Sequence, residues 1–166
     1  MIGVFLTFAV LSSAPASCPV ERARYGLRNA PGFTAAFRPV AVSSDWPAGV
    51  ALVVRSKASG RTYDFLPYLG NGVGTLGHLA STHDVTQPDW TPPGPDDGKA
   101  RPLGDLDFMA LDATYGVAAE PRLRRGAPAP AHLLIPGLQE AFWYRTPSDA
   151  CENARTAFFD LVGCEA

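Results

Sequence analysis

Charge is the first thing in short supply. Asp, Glu, Lys and Arg make up 18% of the 166 residues, against roughly 25% in a typical soluble domain, and the net charge is −2. A nucleic-acid or anionic-membrane partner requires a concentrated basic patch, and this balance supplies none. No apolar run reaches the ~18 residues that a membrane-spanning helix needs, so the mature chain is expected to contain no transmembrane segment. No Cys-x-x-Cys spacing exists, which argues against a zinc ribbon or knuckle. No Gly-Lys-Ser/Thr follows a glycine-rich loop and no Gly-x-Ser-x-Gly occurs, which removes the P-loop and the nucleophile elbow. Alternating strand–helix units are missing, which disfavours a doubly wound sheet.

What is abundant points the other way. Hydrophobic residues are 46% of the chain, with 16 Gly and 16 Pro. That composition builds a core, interrupted by many turns and holding few long helices. The length favours one domain.

The first residues have the pattern of an export signal. Residues 2–11 are an uncharged apolar run, and Ala14-Pro15-Ala16 follows with small residues at the −3 and −1 positions of a signal-peptidase site. The n-region has no Lys or Arg. Residues 1–16 are read as a signal peptide and 17–166 as a single exported domain, periplasmic or secreted. Cys18 just after the cleavage site raises lipidation, but Pro15 stands where a lipobox wants a branched aliphatic. The three cysteines are Cys18, Cys151 and Cys164. In an oxidising compartment one disulfide and one spare are expected. Cys18–Cys164 is favoured, because chain termini are commonly close and a longer loop constrains the unfolded chain more.

Strands are expected at 23–28, 33–42, 50–55, 61–69 and 132–135, with residues 56–60 as the hairpin loop between the third and fourth. Residues 107–117 alternate, with Met109, Leu111, Ala113, Tyr115 and Val117 on one face. Residues 138–145 are ambiguous and lean to strand on their aromatics. Thr146-Pro147-Ser148-Asp149 is a good helix start, and the helix that follows would put Ala150, Ala154, Phe158 and Leu161 on one face before Gly163. The fold expected is a mainly β antiparallel sandwich or half-open barrel with a short C-terminal helix, α+β being the alternative.

The chemistry-bearing residues concentrate in 61–84. Gly72-Val73-Gly74-Thr75-Leu76-Gly77 is a literal G-x-G-x-x-G. The dinucleotide fingerprint needs a helix and a second parallel strand after it, and a proline-rich stretch stands there instead. No cofactor is expected. His78 and His83 are five residues apart, a spacing that suits neither a helix face nor a strand face. A loop would have to bring them together, with His132 or Asp84 as a third metal ligand. Ser81-Thr82-His83-Asp84 are chain neighbours, whereas a triad joins separated elements. His78, His83 and Asp84 are therefore the catalytic candidates, and residues 70–84 the first place to look for a site. Arg122, Arg124 and Arg125 form a small basic loop. The aromatic set Tyr63, Phe65, Tyr68, Phe142, Trp143 and Tyr144 is read as mostly core, with a minority available to a groove for carbohydrate or peptide.

The stretches Cys-Pro-Val-Glu at 18–21, GRTYDFLPYLGNG at 60–72, LASTHDVT at 79–86, RPLGDLDFMALDA at 101–113 and FFDLVGC at 158–164 resemble those of small exported proteins of alphaproteobacteria. The resemblance implies export and β content, and it brings no activity with it. An exported β domain that binds an envelope component, a glycan or a protein partner is the function expected first. A secreted or periplasmic hydrolase sited around His78, His83 and Asp84 is the alternative.

Overall fold

The computed structural model describes residues 18–69, 74–94, 101–118, 123–147, 152–154 and 157–165. A short 3-10 turn, Val20–Arg22, leads into β1 (Ala23–Leu27). Then come β2 (Phe33–Pro39), β3 (Val50–Ser56), β4 (Thr62–Tyr68), β5 (Gly77–Thr82), β6 (Asp105–Leu111), β7 (His132–Leu134), α1 (Leu138–Tyr144) and β8 (Phe158–Cys164). The strands follow one another around the sheet in chain order, all antiparallel, and β1 pairs with β8. The expected antiparallel barrel is thus closed rather than half open, and closure leaves no sheet edge for a partner strand.

Period-two patterning explains which face is which. Tyr25, Phe33, Ala35, Phe37, Leu52, Val54, Phe65, Leu79, Leu106, Phe108, Leu133 and Phe159 form one buried cluster inside the barrel. The alternate residues Arg24, Arg38, Arg55, Asp105 and Asp107 are exposed on the outside. This is the reverse of a lipid-facing barrel, whose outer band is apolar. Among the described residues no helix is long and apolar enough to cross a membrane.

A second, smaller cluster lies on the outer wall of β3–β5. Trp46, Ala51, Leu66 and Ala80 are its centre, with Val40, Tyr68, Val85 and Trp90 packed against it. The Trp46 indole N–H donates to the Pro93 carbonyl (2.8 Å), and that of Trp90 donates to Thr82 Oγ1 (3.1 Å). The two tryptophans therefore pin the proline-rich loop to the sheet. A disulfide joins Cys18 to Cys164, at the seam where Ala23 pairs with Cys164. The expected pairing is present, and Cys151 lies outside the described residues.

Three local expectations are corrected. Residues 138–144 are helix, not strand: Leu138, Ala141 and Phe142 are all buried, an i, i+3, i+4 stripe that the aromatics had disguised. The helix expected after Thr146 is not there at its far end, since Phe158–Cys164 is a strand paired on both sides, to β1 and β7. Its start at 148–151 lies outside the described residues. The alternation read over 107–117 had the wrong phase. Leu106, Phe108 and Ala110 face the core, and the chain turns at 112–116, where Asp112 accepts from the N–H groups of Thr114 (2.7 Å) and Gly116 (2.9 Å). A one-residue slip exchanges the two faces of a strand.

Candidate functional site

The antiparallel pairing of β4 with β5 sets Asp64 opposite Thr82. It brings the two ends of the 61–84 stretch, Arg61-Thr62-Tyr63-Asp64 and Ser81-Thr82-His83-Asp84, to the same end of the barrel. There they line a cavity of about 350 Å³, completed by Pro102 and Leu103 before β6 and by Arg145, Thr146 and Pro147 after α1. This is within the size range of small-ligand sites. α1 plugs the barrel mouth beside it: the Phe142 ring lies 4.4 Å from that of Tyr63 and 5.9 Å from that of Phe33.

Asp64 is the unusual member. It is 4% exposed. Its Oδ2 accepts from the Val85 N–H (2.8 Å), while its Oδ1 is buried without a hydrogen-bond partner. A buried acceptor left unpaired costs about 1–3 kcal/mol, more when charged. Burial pushes the Asp64 carboxyl above its ordinary range, and the charge of Asp84 adds to the effect, against the Val85 hydrogen bond and Arg38. Asp84 behaves oppositely. It accepts from Thr86 N (2.8 Å), Thr86 Oγ1 (2.6 Å) and Gln87 Nε2 (2.8 Å), and these bonds hold its carboxyl below the ordinary range.

Arg145 is held in place. Its Nη1 donates to the Leu103 carbonyl (2.5 Å), and the guanidinium lies so close over Gly104 that a Cβ there would overlap Nη1. Gly104 also has φ +69°, a conformation that favours glycine. Ser81 fixes the same loop, accepting from Leu103 N (2.8 Å) and donating its backbone N–H to the Gly104 carbonyl (3.0 Å). Deeper in, the Glu152 carboxylate accepts from the hydroxyls of Ser56 (3.1 Å), Ser59 and Tyr63 (3.4 Å). Burial, then the Glu152 charge, pushes the Tyr63 phenol up.

The sequence candidates divide between locations. His83 and Asp84 are at the cavity. His78 faces outward on β5, its Nδ1 2.9 Å from Asp107 Oδ1 and its ring against Tyr68. His132 is on β7, its Nδ1 2.6 Å from Asp160 Oδ1. The three histidines are not gathered, and among the described residues no group of three or more His, Cys, Asp or Glu is arranged to hold a metal ion. Gly77, last of the glycine pattern, is in β5, where a Cβ would overlap the Phe108 ring. Core packing explains that glycine, while Gly72 lies outside the described residues.

Sequence reasoning missed two networks. One is Glu152 with its hydroxyls. In the other, Arg28 donates to both carboxylate oxygens of Asp160 (2.9 and 2.6 Å) and to the Tyr115 hydroxyl (3.0 Å). Tyr115 stacks on His132 with ring centroids 4.5 Å apart and has φ +65°, strained for a bulky residue. Arg28 with Asp160 spans 132 positions and Ser56 with Glu152 spans 96, so no local pattern signals either. A shallower hollow of about 860 Å³ runs along the Ala- and Pro-rich segment 126–131, with Arg124 and Arg125 on its wall; Arg122 lies outside the described residues. Comparison with protein-family models, with curated proteins and with solved structures finds no match for this chain.

Proposed function

We propose that this is an exported binding domain that takes a glycan of the cell envelope in the cleft between β4, β5 and α1. The observation that carries the reading is Asp64. Asp64 lines a ligand-sized cavity while its Oδ1 is buried without a partner, and that cost is offset when the carboxylate turns to meet a bound hydroxyl. Around it, Thr82 offers a hydroxyl, Tyr63 and Thr146 offer hydroxyl oxygens as acceptors, their protons going to Glu152 and to the Phe142 carbonyl, and Arg61 and Arg145 offer donors. The barrel interior is filled by side chains such as Tyr25, Phe65, Phe108 and Phe159, which leaves recognition to the rim and the outer wall. Export agrees with the apolar run at 2–11 and with the Cys18–Cys164 disulfide, since such bonds persist in oxidising compartments.

The test is calorimetric titration of the mature protein with envelope oligosaccharides, alongside Asp64→Asn. Saccharide binding that the substitution weakens supports the reading. Absence of binding to any saccharide of the panel, or binding indifferent to residue 64, defeats it.

One observation favours a hydrolase as the second reading. Asp64 and Asp84 line one cavity with carboxyls displaced in opposite directions, the relation that separates a general acid from a base. On this reading Asp64 joins His83 and Asp84, and His78 drops out. Release of reducing ends from a bound oligosaccharide would select it over simple binding.

A further inference from the structure

We infer that the ligand of this cleft is an acidic saccharide, its carboxylate paired with Arg61 and Arg145 and one of its hydroxyls donated to Asp64. The inference rests on the glycan reading above and adds the charge of the ligand. Arg145 is the reason. Arg145 is exposed, yet its guanidinium is held by the Leu103 carbonyl and lies over a glycine whose φ and lack of Cβ both suit the approach. The loop beneath it is in turn fastened by Ser81 from β5. Arg61 enters the same cavity from the start of β4. A guanidinium fork matches a carboxylate in two parallel hydrogen bonds, which a lysine cannot reproduce. A neutral glycan would leave both cations without an anionic partner from the ligand. Asp84, the ionised acid of the wall, already accepts three hydrogen bonds from Thr86 and Gln87 and does not compete for the arginines.

The experiment titrates the mature protein with a short oligouronate and with the neutral oligosaccharide of the same linkage, at low and at raised salt. The oligouronate is expected to bind at least about ten-fold more tightly, an advantage that salt reduces. Arg145→Lys and Arg61→Ala are each expected to weaken oligouronate binding by about ten- to a hundred-fold, and to weaken binding of the neutral sugar clearly less. Equal affinity for the two sugars overturns the inference and leaves the glycan reading standing. Binding of neither overturns both. Oligouronate binding that neither arginine variant weakens overturns the inference, because the anion then sits elsewhere. An acidic peptide that binds in competition with the oligouronate, and more tightly, overturns the saccharide assignment.

Discussion

Replacing Asp64 with Asn should stabilise the protein near neutral pH and abolish one part of its pH dependence. Asp64 keeps a single hydrogen bond, from the Val85 N–H, and has a second oxygen buried without a partner. Removing the charge relieves the extra desolvation cost that a charged unpaired oxygen carries over a neutral group, on the order of 2 kcal/mol, while the Asn amide still leaves one polar atom unpaired and the Val85 bond becomes neutral, a loss of about 1 kcal/mol. The net expectation is a gain of about 1 kcal/mol, or ~2–4 °C in thermal midpoint for a chain of this size. The sign with pH follows from linkage. The folded carboxyl is raised by burial and by Asp84, and opposed by Val85 and Arg38. Folding therefore takes up a proton here. Its stabilising contribution is full below the unfolded value, about 3.9, and is lost as pH rises through the folded value. The advantage of the variant should grow as pH rises from about 4 and level off above the folded value. Thermal unfolding followed by circular dichroism across that range measures it. A variant less stable than the parent at neutral pH, or a difference that does not change with pH, would refute the reasoning.

Three further outcomes are expected. Replacing Cys18 and Cys164 by Ser opens a covalent link across 146 positions, worth about 5 kcal/mol on the chain-entropy view. The midpoint should fall by ~10–20 °C in calorimetry, and a fall under ~2 °C would contradict the barrel-seam role. Gly77→Ala forces a methyl into the Phe108 ring and should cost about 1–3 kcal/mol. Gly74→Ala, with nothing closer than 3.9 Å, should cost under ~0.5 kcal/mol; equal losses in urea denaturation would remove the packing account of the glycine pattern. Asp160→Asn weakens the network of Arg28 and His132 and should cost about 1 kcal/mol at neutral pH. Arg28 first, then His132, holds the Asp160 carboxyl low, so this contribution is present above the unfolded value and lost as pH falls through the folded one. Urea titrations at pH ~7 and ~3 should give a smaller difference at the lower pH.

How much was legible depended on the range over which each feature is encoded. Phe33, Ala35 and Phe37 alternate with polar or small residues, so β2 and its inward face could be read directly. The 56–60 hairpin carried its own signal in Gly60, whose φ is +73°. The segment 138–144 was misread because Phe142, Trp143 and Tyr144 suit strands by propensity, while the position of Leu138, Ala141 and Phe142 over the barrel mouth is decided by packing. The opposite error at 158–164 has the same origin: an apolar run of that length is ambiguous until β1 and β7 supply partners on both sides.

The 61–84 stretch divides between two locations. Its ends meet because β4 and β5 are antiparallel neighbours, so His83 and Asp84 arrive beside Arg61 and Asp64, while His78 faces out at the other end of its strand. Short-range patterning by itself determined β1 to β4, the 56–60 hairpin and the mainly antiparallel β class, because alternation and turn chemistry act over a few residues. Only the tertiary structure decided the closure of the barrel, the burial of Asp64 beneath Val85, the capture of Arg145 over Gly104 and the Arg28–Asp160–His132 network. Those depend on residues far apart in the chain, and on how much water the packed sheet excludes from each.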